Sequence, residues 1–127
     1  MVKLVSLVHR KKGLSNPEFY SYWKDKHGPL VARMAPFLRR YVQNHPLDWP
    51  GLSDDADGIV EMWFDTEDDA RRYLEWRNTA EAYELREDED RFQDFKKTRR
   101  FVVVEHQFET VGRPWVSGSA LPDGGEG

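Results

Sequence analysis

At least two of the four strand-like segments in this chain are apolar on both faces, and that restricts the fold more than any other feature. In Gly58-Ile59-Val60-Glu61-Met62-Trp63-Phe64, Val60, Met62 and Phe64 point one way along a strand while Ile59 and Trp63 point the other. In Phe101-Val102-Val103-Val104-Glu105-His106-Gln107-Phe108, Val102 and Val104 alternate with Phe101 and Val103. A strand apolar on both sides is buried on both sides. Residues 2–9, rich in Val and Leu, and Arg40-Tyr41-Val42-Gln43-Asn44-His45 supply the other two strands.

Helices separate these strands. Ser15 followed three residues later by Glu18 is a capping box, and Pro17 is tolerated in a first helical turn. This predicts a helix from Asn16 to Lys26 that His27-Gly28-Pro29 ends or kinks, then a shorter helical piece from Leu30 to Ala35. Residues 46–57, with two prolines, Gly51 and four aspartates, read as a loop. Thr66 with Asp69 caps a second helix, and Glu67, Asp68 and Asp69 complement its positive end. Ala70, Tyr73, Leu74 and Arg77 keep helical spacing, and a broken continuation through Leu85 leaves Phe92 and Phe95 to pack a last turn. The run Arg86-Glu87-Asp88-Glu89-Asp90-Arg91 reads as a solvated helix face.

The order is β-α-β-β-α-β, the α+β ferredoxin-like arrangement with a four-stranded antiparallel sheet and helices on one face. Too few elements remain to cover the other face, so a second copy is the expected cover, sheet against sheet. Residues 1–111 form one domain, and 112–127, rich in Gly and Pro, a flexible tail in which Trp115 and Val116 could dock on a neighbouring surface.

Composition removes several chemistries. With no cysteine, there are no disulfides, thiolate nucleophiles, iron–sulfur clusters or Cys-based zinc sites. Charged residues make up 33% of the chain, yet the net charge is only −4, which gives no general pull toward nucleic acid or anionic lipid. No apolar run approaches the ~20 residues of a membrane helix. The first nine residues are too short and too alternating for a signal peptide, so a cytoplasmic protein is expected. Ser6 lacks a neighbouring base, and no Gly-rich phosphate loop follows a strand.

What remains is a set of rings and acids. Helical spacing places Tyr20, Trp23 and His27 on one stripe, with Phe19 beside them. Such a stripe serves a small apolar pocket with one acid/base group, or simply a core. A histidine at a helix end can also satisfy the last carbonyls, so His27 is either a general acid/base or a structural cap. Trp23, Phe37, Tyr41 and Trp63 could line a pocket for a planar ligand, or be core. Glu61 and Glu105 sit mid-strand among apolar residues. On the pocket side they would be an acid and a base flanking a carbonyl substrate; on the other they would pair with arginines such as Arg40 or Arg100 or meet the partner. His9, His45 and His106 show no ligand spacing, and no metal site is expected.

Three segments carry a family resemblance: Phe19 to Leu30, which reads F-x-x-Y-W-x-x-x-H-G-P-L; Asp57 to Ala70; and Phe92 to His106, ending Val-Val-Val-Glu-His. Together with the element order they resemble the EthD family, a branch of the dimeric α/β-barrel superfamily. The resemblance spans roughly residues 2–108 and leaves out the 46–57 loop and the tail. It implies a barrel-like homodimer with one pocket per subunit between sheet and helices, and His27 matches the family's motif histidine. The implied activity is a cofactor-independent acid/base reaction (dehydration, cyclisation or isomerisation) on an aromatic or polyketide-like small molecule. Catalytic candidates are His27, Glu61 and Glu105; substrate-binding candidates are Tyr20, Trp23, Phe37, Tyr41 and Trp63. A non-catalytic carrier of apolar ligands, or a cofactor-free or haem-dependent monooxygenase, is the alternative.

Overall fold

A computed structural model gives the fold and describes residues 1–52 and 55–113. The expected docking of Trp115 and Val116 lies outside them. Strands β1 (Val2–Val8), β2 (Arg40–Asn44), β3 (Gly58–Phe64) and β4 (Arg99–Val103) form one antiparallel sheet in the order β2-β3-β1-β4. With helices α1 (Asn16–Tyr22), α2 (Gly28–Met34), α3 (Glu67–Trp76) and α4 (Tyr83–Phe92), this is the ferredoxin-like arrangement. β1 and β3 run side by side at the centre, from Val2 opposite Phe64 to Val8 opposite Gly58.

The fourth strand is earlier and shorter than its valine run predicts. It pairs with β1 from Leu7 opposite Arg99 to Lys3 opposite Val103. The pairing ends at Val103, and Val104 is left exposed.

The first helix does not stop at Gly-Pro. It passes from α1 through one wide π turn, Trp23–His27, straight into α2. Proline lacks an N–H and crowds the carbonyl four residues back, which an α-helical register at Pro29 cannot absorb. The π register takes up the misfit, with the Gly28 N–H donating to the Trp23 carbonyl five residues back. The amino end is as predicted: Ser15 accepts from the Glu18 N–H while the Glu18 carboxylate accepts from the Ser15 N–H.

The inner face of the sheet presents Val2, Leu4, Val8, Val60, Met62 and Phe64 to Phe19, Trp23, Val31, Tyr73, Leu85 and Phe92 from the helices. At Gly58 an added Cβ would overlap the Trp23 ring, so a side chain there requires the ring to shift. The outer face has no helices. Val5 and Leu7 lie half-buried on it, and Ile59 and Phe101 are 40% and 45% exposed.

Candidate functional site

His27 ends the π turn and is buried, 4% exposed, with its ring 4.7 Å from that of Phe92. Its Nδ1 lies 2.8 Å from Asp88 Oδ2 on α4. Asp88 is buried too, and its other oxygen accepts from the Tyr22 hydroxyl and from Arg91 Nη1 at 3.0 Å. Burial pushes the Asp88 carboxyl up, but Tyr22, His27 and Arg91 together hold it below the usual aspartate value. An ionised carboxylate only accepts, so Nδ1 of His27 carries the proton and donates it. Burial also lowers the His27 pKa, and the pull of Asp88 does not make up the difference. The imidazole is therefore neutral at neutral pH, with its lone pair on Nε2. Among the described residues Nε2 has no hydrogen-bond partner.

The next residue on α4, Glu89, takes two hydrogen bonds from Arg77, at 2.6 and 2.7 Å, and both side chains are buried. Arg77 sits at the carboxyl end of α3 and also reaches the Tyr73 hydroxyl at 3.4 Å. This geometry is the planar, two-point match of a guanidinium to a carboxylate. It is what allows two charges to be buried under the helices.

Between sheet and helices lies a cavity of about 50 Å³ lined by His27, Trp23, Tyr41, Tyr73, Arg77 and Glu89, with Ser6, Gln93, Thr98 and Arg100 among the others. Asp88 does not line it; its contact occupies Nδ1 of His27 and leaves Nε2 as the uncommitted ring nitrogen of a residue that does. A groove of about 470 Å³ adjoins it, sharing Leu4, Arg77, Thr98 and Arg100 and continuing past Leu74 and Asn78.

The structure thus brings together His27, Trp23 and Tyr41 of the sequence candidates, and separates the rest from them. Glu61 and Trp63 lie on the opposite face of the sheet, and Glu105 joins them there. Lys3 Nζ binds Glu61 at 2.7 Å and Glu105 at 3.2 Å, while Arg40 lies 4.6 Å over the Trp63 ring. The acid that reaches His27 is therefore not a strand glutamate but Asp88. Tyr20 donates to the Asp57 carbonyl at 2.7 Å, and Phe37 occupies a turn before β2 with φ 67°, 43% exposed; neither lines the cavity. His45 stacks on Trp23 at 4.2 Å between centroids. His106 borders the outer face, and His9 uses its backbone carbonyl to accept the Asp94 N–H. Among the described residues no group of three His, Asp or Glu side chains could hold a metal ion.

Asp88 and Glu89 correct the reading of residues 86–91 as a solvated face. Leu85, Asp88, Glu89 and Phe92 are spaced three, four and seven apart and form the buried stripe of α4. Leu85 and Phe92, two apolar residues seven apart, were the available signal: any residue between them at +3 or +4 shares their face.

Comparison with known proteins agrees with this architecture. The EthD domain family matches residues 11–96. No curated protein matches the chain. Among solved structures, an ethyl tert-butyl ether D (EthD) family protein from Bacillus halodurans superposes with a TM-score of 0.63 at 21% identity, covering 84% of this chain and 99% of its own. A cofactor-independent oxygenase from Streptomyces nogalater gives 0.57 at 15% identity, over 84% and 94% of the two chains. A dimeric ferredoxin-like protein of unknown function from Thermobifida fusca gives 0.56 at 12%, over 82% and 90%. At these identities the structures share a fold with this chain, whereas the family match spans most of its domain, including the helix that carries His27. The chain belongs to the EthD family.

Proposed function

We propose that this protein is a cofactor-independent general-base catalyst that removes a proton from an aromatic or polyketide-like carbonyl compound, with His27 as the base and Asp88 as the carboxylate that orients it. The observation that carries this reading is the buried 2.8 Å contact between His27 Nδ1 and Asp88 beside a cavity that His27 itself lines. A neutral imidazole with a fixed tautomer and a vacant Nε2 is the resting state that a base needs. Asp88 then stabilises the imidazolium that forms when Nε2 takes the proton. The strand glutamates have no part in this step. Their shared lysine places them on the outer face, where we assign the docking of a second subunit; the exposed Ile59 and Phe101 and the half-buried Val5 and Leu7 support that cover.

Size bears on the substrate. Ligand pockets run to roughly 300 Å³ and more, so a cavity of about 50 Å³ takes only the reacting end of a polyketide-like molecule. The remainder would lie in the groove beside Arg77 and Arg100. The test uses whatever small molecule the purified protein retains, identified by native mass spectrometry and then returned to wild type and His27→Gln in heavy water. Deuterium enters the ligand with wild type and not with the variant; equal incorporation by both refutes the assignment. Similarity to a cofactor-independent oxygenase favours one further outcome, in which the deprotonated substrate consumes oxygen. An oxygen electrode separates the two.

A further inference from the structure

Hydrogen-bond accounting at the cavity wall singles out one proton. Gln43 on β2 donates through Nε2 to the Trp23 carbonyl at 2.9 Å and to the Tyr41 hydroxyl oxygen at 2.9 Å. Its Oε1 faces His45 Nε2 at 2.8 Å. A carbonyl oxygen can only accept, so the group facing Trp23 must be the amide nitrogen, and the orientation of Gln43 is settled. The same nitrogen spends its second N–H on Tyr41. The Tyr41 oxygen is therefore an acceptor toward Gln43, and its own proton cannot return there. Among the described residues that proton has no acceptor, although Tyr41 lines the cavity with His27. Burial pushes the phenol up to about 12, against the pull of the Gln43 and Trp23 donors, so the proton stays on at neutral pH.

We infer that the Tyr41 hydroxyl is the donor that holds the oxyanion formed when His27 removes a proton, which makes the substrate a ketone or its enol, with the reacting carbonyl oxygen at Tyr41. The inference rests on the general-base role proposed above. In the step, the C–H bond next to the carbonyl breaks and its proton goes to His27 Nε2. Its electron pair becomes the C=C bond of an enolate, and the carbonyl π pair moves onto oxygen, which accepts from Tyr41. A phenol already accepting from Gln43 is a stronger donor, because hydrogen bonds in a chain polarise one another. Since it is held in place beforehand, it does not reorganise as the charge appears.

The test separates donor from base by using 2,4-pentanedione, a small β-dicarbonyl, as the probe. In buffer between the probe's own ionisation and that of Tyr41, the probe is an enolate and needs no base, so its affinity reads Tyr41. Tyr41→Phe is expected to weaken enolate binding about ten- to hundredfold, the usual worth of a hydrogen bond to a charged group. A fluorinated tyrosine at 41, nearly the same size and a stronger donor, tightens it, which a packing role would not do and which stays readable if Tyr41→Phe folds poorly. At neutral pH, deuterium exchange into the probe reads donor and base together. His27→Gln should lower that exchange to the rate of the probe in buffer alone. Undiminished enolate affinity in Tyr41→Phe overturns the inference, as does failure of wild type to bind the enolate up to its solubility limit. Exchange that stays above the buffer rate in His27→Gln, with affinity lost in Tyr41→Phe, overturns the base and leaves the donor standing.

Discussion

Asp88→Asn isolates the orienting carboxylate with almost no change of shape, and the hydrogen-bond partners dictate what it does. In the wild type, one Asp88 oxygen accepts from Tyr22 and Arg91 and the other from His27 Nδ1. Asparagine keeps one oxygen and replaces the other with an NH₂ group. Arg91 has donors only, so the amide oxygen must stay with Arg91 and Tyr22, and the NH₂ must turn to His27. Nδ1 then has to accept, the ring proton moves to Nε2, and the lone pair that faces the cavity is gone. A hydrogen bond to a charged group is worth about 1.5–3 kcal/mol, so Asp88 favours the Nδ1–H tautomer roughly ten- to hundredfold. Inverting the tautomer of an essential base in this way costs on the order of 10⁴ in turnover in the serine-protease template, and a loss of that order is expected on the retained ligand. Nitrogen NMR of the four histidine rings reads the tautomer without any substrate. His27 should change from Nδ1–H to Nε2–H, and its pKa should fall further once the carboxylate that raises it is gone. A ring that keeps Nδ1–H in Asp88→Asn would refute this reasoning.

Three further outcomes follow from the same contacts. Because the His27 pKa is depressed in the fold, the unfolded chain takes up its proton first as the pH drops below the ordinary 6.5. Stability is therefore full above that value and declines as the pH falls through the folded pKa; His45, lowered by burial and Lys24, adds the same sign. Denaturant midpoints between neutral and mildly acid pH should show this decline, His27→Gln should flatten it, and an unchanged slope in the variant speaks against it. Arg77→Met leaves Glu89 buried without its partner and should cost about 3–5 kcal/mol in urea unfolding, most of it recovered by adding Glu89→Leu; strictly additive losses would show that the pair is not coupled. Gly58→Ala drives a methyl into the Trp23 ring and should destabilise by about 1–3 kcal/mol, with a shift in tryptophan fluorescence; a variant as stable as wild type would mean the ring moves aside freely.

The element order was legible because its signals are local: a capping box at Ser15, a Thr66 cap, and valine-rich runs between turn residues. The ends of β4 were not, since they depend on pairing with β1, a strand far away in sequence. Side-chain alternation correctly grouped Glu61 with Trp63 but carries no label for the face that the helices choose. His27 stood out by its chemistry and its place beside Trp23. Asp88 did not, because its partner is 61 residues away in sequence and a run of charges masks the helical period around it. A charged residue is buried only when something opposite neutralises it, and no local pattern in residues 86–91 reports that Arg77 and His27 lie across from them.

Pro29 connects several of these features. Without its N–H the helix cannot keep α register, and the π turn that results leaves the Trp23 carbonyl bonded to the Gly28 N–H. That carbonyl also accepts from Gln43, which fixes the Gln43 amide and, through it, the acceptor role of Tyr41. His27 closes the same turn and meets Asp88 across to α4. The base on the helix and the donor on β2 are thus tied to one backbone carbonyl, so a single irregular turn sets the position of both. Pro29→Ala would restore a normal helical register only by drawing that carbonyl toward the His27 N–H. The expected result is a more regular helix, a displaced Gln43 and a lower deuterium exchange rate in the pentanedione assay, while urea stability stays the same or rises. Unaltered exchange in a protein whose amide spectra show the α register restored would disconnect the π turn from the site.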